Sequence, residues 1–380
     1  MRSLTIAVAL MLSILQPATA ATGARSARVH LFSVSPIKQL RIVAAPPVSV
    51  DADMQRSQSN DAVTLQLSAR GSTIAVGPKN VRGLTITSPH LELNDRVMSG
   101  SVTIRAVSNT LQCVATVPFE QYVAGVVSSE ALPHTPAAAL QAQAVCARSY
   151  AMALQPHATE GYDYCDSTHC QDFHGVPPPD DPAAIATRAT AGQYLALNGR
   201  PLAAYYHSTC GGRTAGADEV FPAGPGIVSV IDGTPSFCAH SPHFSWTVHL
   251  AAARLRDALN QDHATAVGAV LSDVRVLSRG ASGRALAVEL RGSRTVRIGA
   301  YDLWLLLGRT LGWGQIESTW FEVHREAGQH VFVFSGHGLG HGLGLCQWGS
   351  AEMARRGRNM RQILAHYFPR ATLQLSNREP

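Results

Sequence analysis

The chain has 380 residues, 46% of them hydrophobic, with a formal net charge of +5. This is enough for one large domain or two ordinary ones with real cores. The positive charge favours an anionic partner, but the basic residues are scattered and no cluster reads as a nucleic-acid arm, so nucleic acid is not expected.

At the start, Arg2 precedes the apolar run LTIAVALMLSIL, and ATA from Ala18 to Ala20 fits a cleavage site, so residues 1–20 read as an export signal. A membrane span needs about 20 apolar residues, which neither this run nor any later segment supplies. The mature chain is therefore expected to be exported to the periplasm, the envelope or the exterior, with no stable membrane anchor. Seven cysteines in such a protein permit disulfides, and Cys210 with Cys238 is the pairing we favour.

From 21 to 110, short runs such as VTLQLSA, GLTITS and SVTIRAV alternate with Gly, Asn, Asp and Ser turns, which predicts an antiparallel, β-rich N-terminal region. A change follows near Cys113. PFEQYVAGVVSS has apolar residues at helical spacing, and a second helix is expected from Thr135 as N-cap and Pro136 at the first position to Leu154. Its one charge is Arg148, so most of its sides should be buried. A cysteine-rich loop, YCDSTHCQDFHG, and a linker, PPPDDP, come next. QYLALNG and LAAYYHST then read as a strand pair joined through NGRP. Residues 246–322, with an amphipathic helix, two strand-like runs and YDLWLLLGRTLG, form an expected inserted subdomain, and SAEMARRG and MRQILAHYF are closing helices. The fold class is α+β.

The stretch FSGHGLGHGLGLCQWG, 334–349, lacks the Lys and Ser or Thr of a phosphate loop and the register of a dinucleotide fingerprint. Helical zinc ligation by His337 and His341 is disfavoured, because each glycine costs roughly 1 kcal/mol in a helix. As a strand the segment would separate the two histidines by about 13 Å, too far for one ion. It is expected as an extended strand with a bare glycine face, against which a backbone, a bulky ligand or a neighbouring helix can sit.

Glu130 stands between the two helices in SSEALPHT, with no other acid until Glu160. In a cleft, desolvation would keep it protonated, as a general acid requires; in a solvated loop it would be an ordinary glutamate.

Four ordered segments carry a resemblance: PFEQYVAGVVSSEALPHTPAAALQAQAVCARSYAM, DSTHCQDFHG, YYHSTCGGRT and GHGLGLCQWGSAEMARRG. Together they resemble the stage II sporulation protein D (SpoIID/LytB) family over about 112–368. The resemblance implies a SpoIID-like domain over 111–370, with helices and antiparallel strands around a cleft. The family includes lytic transglycosylases that cleave peptidoglycan glycan strands between N-acetylmuramic acid and N-acetylglucosamine, and members described as amidase enhancers. Glu130 matches its catalytic glutamate. A muramic acid unit can use its own C6 hydroxyl as nucleophile, so one carboxyl acting as acid and then base suffices for a 1,6-anhydro product. Asp166 and Asp172 are the spare carboxyls to test for a two-acid hydrolase. By the same resemblance Tyr206, His207, Ser208, His341, Gln347 and Trp348 would line the sugar cleft, while Gln143 and Arg148 match the family helix, with a structural role favoured for Arg148. The alternative function is a non-catalytic, peptidoglycan-binding enhancer of a cell-wall amidase.

Cys165, His169 and Cys170 fall within six residues, and His157 or His174 can supply a fourth ligand, a donor set suited to tetrahedral zinc. A Cys165–Cys170 disulfide is the competing reading. Some family members resemble this loop and bind zinc there through two Cys and two His, which implies a structural ion at His157, Cys165, His169 and Cys170. No organic cofactor is expected.

Overall fold

The computed structural model describes residues 25–220 and 226–376; the expected export signal, 1–20, lies outside them. The N-terminal alternation becomes ten antiparallel strands: β1 (Ser26–Leu31), β2 (Gln39–Ala45), β3 (Val48–Ala52), β4 (Gln55–Ser59), β5 (Val63–Arg70), β6 (Thr73–Val76), β7 (Lys79–Val81), β8 (Gly83–Leu93), β9 (Arg96–Val107) and β10 (Thr110–Pro118). In β10, Leu111, Cys113, Ala115 and Val117 are buried and the residues between them are not, the period of two that one covered sheet face imposes. A short strand from the cysteine-rich loop, β11 (Tyr164–Cys165), adds in parallel beside β1, with His30 opposite Cys165. The sheet is thus tied directly to the loop that holds the expected zinc ligands.

Strand β10 runs straight into helix α1 (Phe119–Glu130), because Pro118 ends the ladder and carries the backbone angle of a helix entry. Helix α2 (Ala137–Ala153) is buried from Ala142 through Ala151, as its poverty in charge suggested. Its start differs from expectation. The Thr135 hydroxyl donates back to the Leu132 carbonyl at 2.6 Å instead of capping, and the Pro136 carbonyl accepts from the Ala139 and Leu140 amides. Arg148, fully buried, joins three helices. It makes a bidentate pair with Glu120 of α1 at 2.8 and 2.6 Å, and it donates to the Thr187 carbonyl of α3 (Pro182–Ala189) and to the Gln193 carbonyl. Breaking such a buried pair typically costs about 3–5 kcal/mol.

Among the described residues the apolar interior forms three clusters. The first unites the sheet with α1 and the loop after α2, through Leu31, Ile104, Val117, Tyr122, Val126 and Phe173. The second joins α2 to the C-terminal part through Val145, Leu195, Leu345, Ile363 and Tyr367. The third, with Trp246, Leu255, Val288, Leu303 and Phe332, belongs to the expected subdomain and continues past residue 322 into the strand Val331–His337. No helix of the described residues is long and apolar enough to cross a membrane.

Two local expectations are corrected. QYLALNG pairs with the following run only at Arg200 and Pro201, after a turn with positive φ at Asn198 and Gly199; Tyr206–His207 crosses away to lie parallel to Leu345–Cys346. The glycine stretch is also not one extended strand. It leaves the sheet after His337, with φ of 83° at Gly342 and 71° at Gly344. A Cβ at Gly342 would overlap the guanidinium of Arg284, and one at Gly344 would overlap the carbonyl of Tyr205. Protein groups, not a ligand, fill the bare face.

Candidate functional site

Glu130 is the last residue of α1. The chain turns extended at Ala131, whose amide still donates to the Val127 carbonyl, and this sets the glutamate side chain at the helix end. One carboxyl oxygen accepts the Asp172 amide at 2.8 Å, and the other accepts the Tyr206 hydroxyl in a short hydrogen bond. Behind them, Gln171 donates to the Tyr206 oxygen at 3.1 Å and accepts from the Tyr122 hydroxyl at 3.2 Å. The Gln347 amide donates to the Glu130 carbonyl at 2.8 Å. Three segments distant in sequence thus converge on one helix end.

Burial pushes the Glu130 carboxyl up to about 7. The Tyr206 and Asp172 hydrogen bonds pull the other way, and the Asp172 charge adds to the rise. The carboxyl is enclosed by protein, while the residue as a whole stays partly exposed. That combination suits proton delivery at neutral pH.

The histidines lie behind this front. His207 is buried, with Nδ1 at 3.0 Å from the Leu343 carbonyl and Nε2 without a protein partner. Its ring stands 5.6 Å from that of His341, whose Nδ1 accepts the Leu343 amide at 3.0 Å. Burial, reinforced by Arg284, lowers His341 to about 4, and burial with His341 and Arg284 holds His207 well below its usual range. Both rings are neutral at physiological pH, so they can accept or donate hydrogen bonds there but add no positive charge. The Ser208 hydroxyl lies 3.3 Å from that of Thr209, and Trp348 packs on the second cluster while its amide donates to the Ser208 carbonyl. Among the described residues no hydrogen bond links the side chain of Ser208 or Trp348 to Glu130. Gln143 is buried, with its amide nitrogen unpartnered, on the α2 side of the second cluster.

The spare carboxyls separate cleanly. Asp166 accepts from the Phe32 and Ser33 amides, the Ser33 hydroxyl and Arg96; burial alone would raise it, but these donors hold it below its ordinary range. It ties the sheet to the loop. Asp172, raised by burial, sits beside Glu130 and pairs with the exposed His174 at 3.3 Å.

Around the cysteine-rich loop, His157, Cys165, His169 and Cys170 bring one donor atom each within 4.8 Å of the others. His169 Nδ1 stands 3.6 and 3.5 Å from the two sulfurs, which lie 3.2 Å apart, and both thiols are free. His157 Nε2 is buried without a hydrogen bond, while its Nδ1 meets Glu160 at 2.7 Å, the arrangement that orients a histidine toward a metal. This donor set fits a tetrahedral zinc ion. His174, the other candidate, is outside the cluster.

Sequence reasoning missed Gln171 and Glu120. A glutamine beside a cysteine and a glutamate at a helix start carry no signal until their partners, 35 and 28 residues away, are known. The favoured Cys210–Cys238 bridge is also corrected: the two sulfurs stand 3.5 Å apart, unbonded, with Cys346 and Asp232 beside them.

The fold and site define an α+β protein organised around one desolvated carboxyl at a helix end. Residues 107–197, from the last strands of the sheet through that helix and loop, match the family described as Stage II sporulation protein, and 229–344 match a domain of unknown function. The match over 107–197 and the relatives below support the SpoIID/LytB family for this chain. It is 26% identical to stage II sporulation protein D of Bacillus subtilis, over 74% of this chain and 82% of that protein. It is 28% identical to an uncharacterised protein of Brachyspira hyodysenteriae, over 74% and 73%. The amidase enhancer of Bacillus subtilis is 24% identical over 66% of this chain and 40% of its own length. These relationships tie the chain to a cell-wall-related role.

Proposed function

We propose that this protein is an exported lytic transglycosylase that cleaves peptidoglycan between N-acetylmuramic acid and N-acetylglucosamine. The observation that carries the proposal is Glu130: one carboxyl at a helix end, raised to about 7 by burial and held on both oxygens, in a residue that stays partly exposed. Protonated Glu130 gives its proton to the glycosidic oxygen as the bond from that oxygen to C1 breaks. The muramic acid C6 hydroxyl then bonds to C1 and loses its proton to the Glu130 carboxylate. The catalyst is regenerated and no water is consumed. Tyr206 and the Asp172 amide stabilise the carboxylate between the two steps. Asp166 is fully engaged by donors, which argues against its serving as a second catalytic acid.

The cluster of His157, Cys165, His169 and Cys170 would hold a structural zinc ion in this reading. Four protein ligands leave no open position for catalysis. Its service would be positional, since Cys170 lies two residues before Asp172, whose amide orients Glu130.

A second reading, a peptidoglycan-binding enhancer of a cell-wall amidase, is favoured by the likeness to the amidase enhancer and by the fact that both Glu130 oxygens already accept protein hydrogen bonds. Mass analysis of digested sacculi separates the two. The transglycosylase releases products ending in 1,6-anhydromuramic acid, and Glu130→Gln ends that release. An enhancer yields no anhydro ends, and both forms sediment equally with sacculi.

A further inference from the structure

Four side chains outside the proposed catalytic machinery converge in the second cluster: Cys210, Asp232, Cys238 and Cys346, all with 0% relative exposure. Their donor atoms lie within 4.8 Å of one another, and the Cys210 and Cys238 sulfurs are 3.5 Å apart. A tetrahedron of zinc–sulfur bonds near 2.3 Å places its sulfurs about 3.8 Å apart, whereas a disulfide needs about 2.05 Å. Each of the three sulfurs accepts at least one backbone amide, and the Cys346 sulfur also faces the Ser208 carbonyl at 3.7 Å. Cys346 accepts the Cys210 amide at 3.3 Å and, at the start of the helix Gln347–Arg355, the Gly349 amide at 3.4 Å. Cys210 accepts the Gly212 amide at 3.3 Å, and the Gly211 amide bonds the Cys238 sulfur. Asp232 is held by the Tyr367 hydroxyl at 2.5 Å and the Cys238 amide at 2.8 Å, which leaves lone pairs on its oxygens for a cation.

A second, independent observation is Arg284. It is fully buried, gives one hydrogen bond to the Cys210 carbonyl at 2.9 Å, and leaves Nε and Nη1 with no partner. The acidic groups that face it are Glu219 and the thiols of Cys210, Cys346 and Cys238. Glu219 spends its hydrogen bonds on Ser282, though its negative charge still faces the guanidinium. A buried guanidinium needs compensating negative charge. Three thiolates and a carboxylate around one divalent ion leave two negative charges, which would compensate it.

We infer that Cys210, Asp232, Cys238 and Cys346 form a closed, structural zinc site, separate from the His157–Cys170 cluster. The thiol protons pass to solvent as the ion binds. The ion clamps the strand Tyr206–His207 to Leu345–Cys346, and with it the segments that carry Tyr206 and Gln347 to Glu130. The inference does not depend on the transglycosylase reading.

The test is elemental analysis of the full chain, purified without added metal, with cobalt as a spectroscopic probe after chelation and refilling. Wild type should hold about two zinc ions per chain, with Cys346→Ser and Cys165→Ser each losing one and the double variant losing both. Cobalt in Cys165→Ser should still give thiolate-to-metal charge transfer from this site. Where Cys346→Ser fails to fold, Asp232→Cys asks the same question: an all-cysteine site keeps the ion and strengthens the charge-transfer band. A Cys210–Cys238 disulfide in peptide maps, a single zinc lost entirely in Cys165→Ser, or an unchanged cobalt spectrum in Asp232→Cys would each overturn the inference.

Discussion

Asp166 stands at the start of the loop 167–173 and Glu130 accepts the amide of Asp172 within it; both carboxyls are heavily surrounded, yet their chemistry diverges. Asp166 receives two amides, a hydroxyl and a guanidinium and is held ionised. Glu130 receives one amide and one phenol, and burial wins, lifting it to about 7. The number and charge of the donors, set against the depth of burial, decide which carboxyl is a structural tie and which can pass a proton.

The contrast predicts distinct failures. Glu130→Gln should lower release of anhydro products by about 10³-fold or more while the far-ultraviolet circular dichroism stays unchanged. Full activity in that variant would remove the acid from the mechanism. Asp166→Asn should instead lower stability by about 3 kcal/mol, because the part-buried Arg96 loses its carboxylate and keeps only the Phe173 carbonyl and the Phe32 ring; urea titration measures this, and activity per folded molecule should hold. The folded-state pKa of Asp166 is depressed, so its contribution is present above the ordinary carboxylate value near 3.9 and disappears as pH falls through the depressed value. The variant should therefore lack that acid-side loss.

Tyr206→Phe removes a hydrogen bond that favours the Glu130 anion. Turnover should fall about tenfold and the midpoint set by the acid should move above its wild-type value, read from the pH dependence of kcat. An unshifted midpoint would show that the phenol does not act on the carboxyl. The smallest effect concerns stability. A carboxyl with a raised folded pKa binds more protons folded than unfolded, so stability declines as pH rises from about 4.3 toward 7. Glu130→Gln should relieve that decline, raising Tm at pH 8 by an amount worth roughly 1–3 kcal/mol and leaving Tm at pH 4 nearly unchanged. Equal shifts at both values would mean that the carboxyl is not desolvated.

Part of the candidate site was legible because its signals are local. Glu130 stood out as an isolated acid between two helices, and Cys165, His169 and Cys170 fall within six residues of one loop, a closeness that fits either zinc or a disulfide. Thr135 misled, since a residue suited to capping can spend its hydroxyl on the turn before the helix. The glycines misled too: a spacing of two fits a strand, but it equally fits a ribbon whose positive φ values let Arg284 and Tyr205 fill the space.

Sequence by itself determined the α+β class, the β-rich start, the two apolar helices and the carboxyl between them, because hydrophobic period and turn chemistry act over a few residues. Tertiary structure alone decided that Tyr206 reaches Glu130 across 76 positions and that Cys210 meets Cys346 across 136. Such meetings depend on which strands pair and which faces bury together, and no local pattern encodes the partner of a buried polar atom. The donor count that separates Glu130 from Asp166 belongs to this second kind of information.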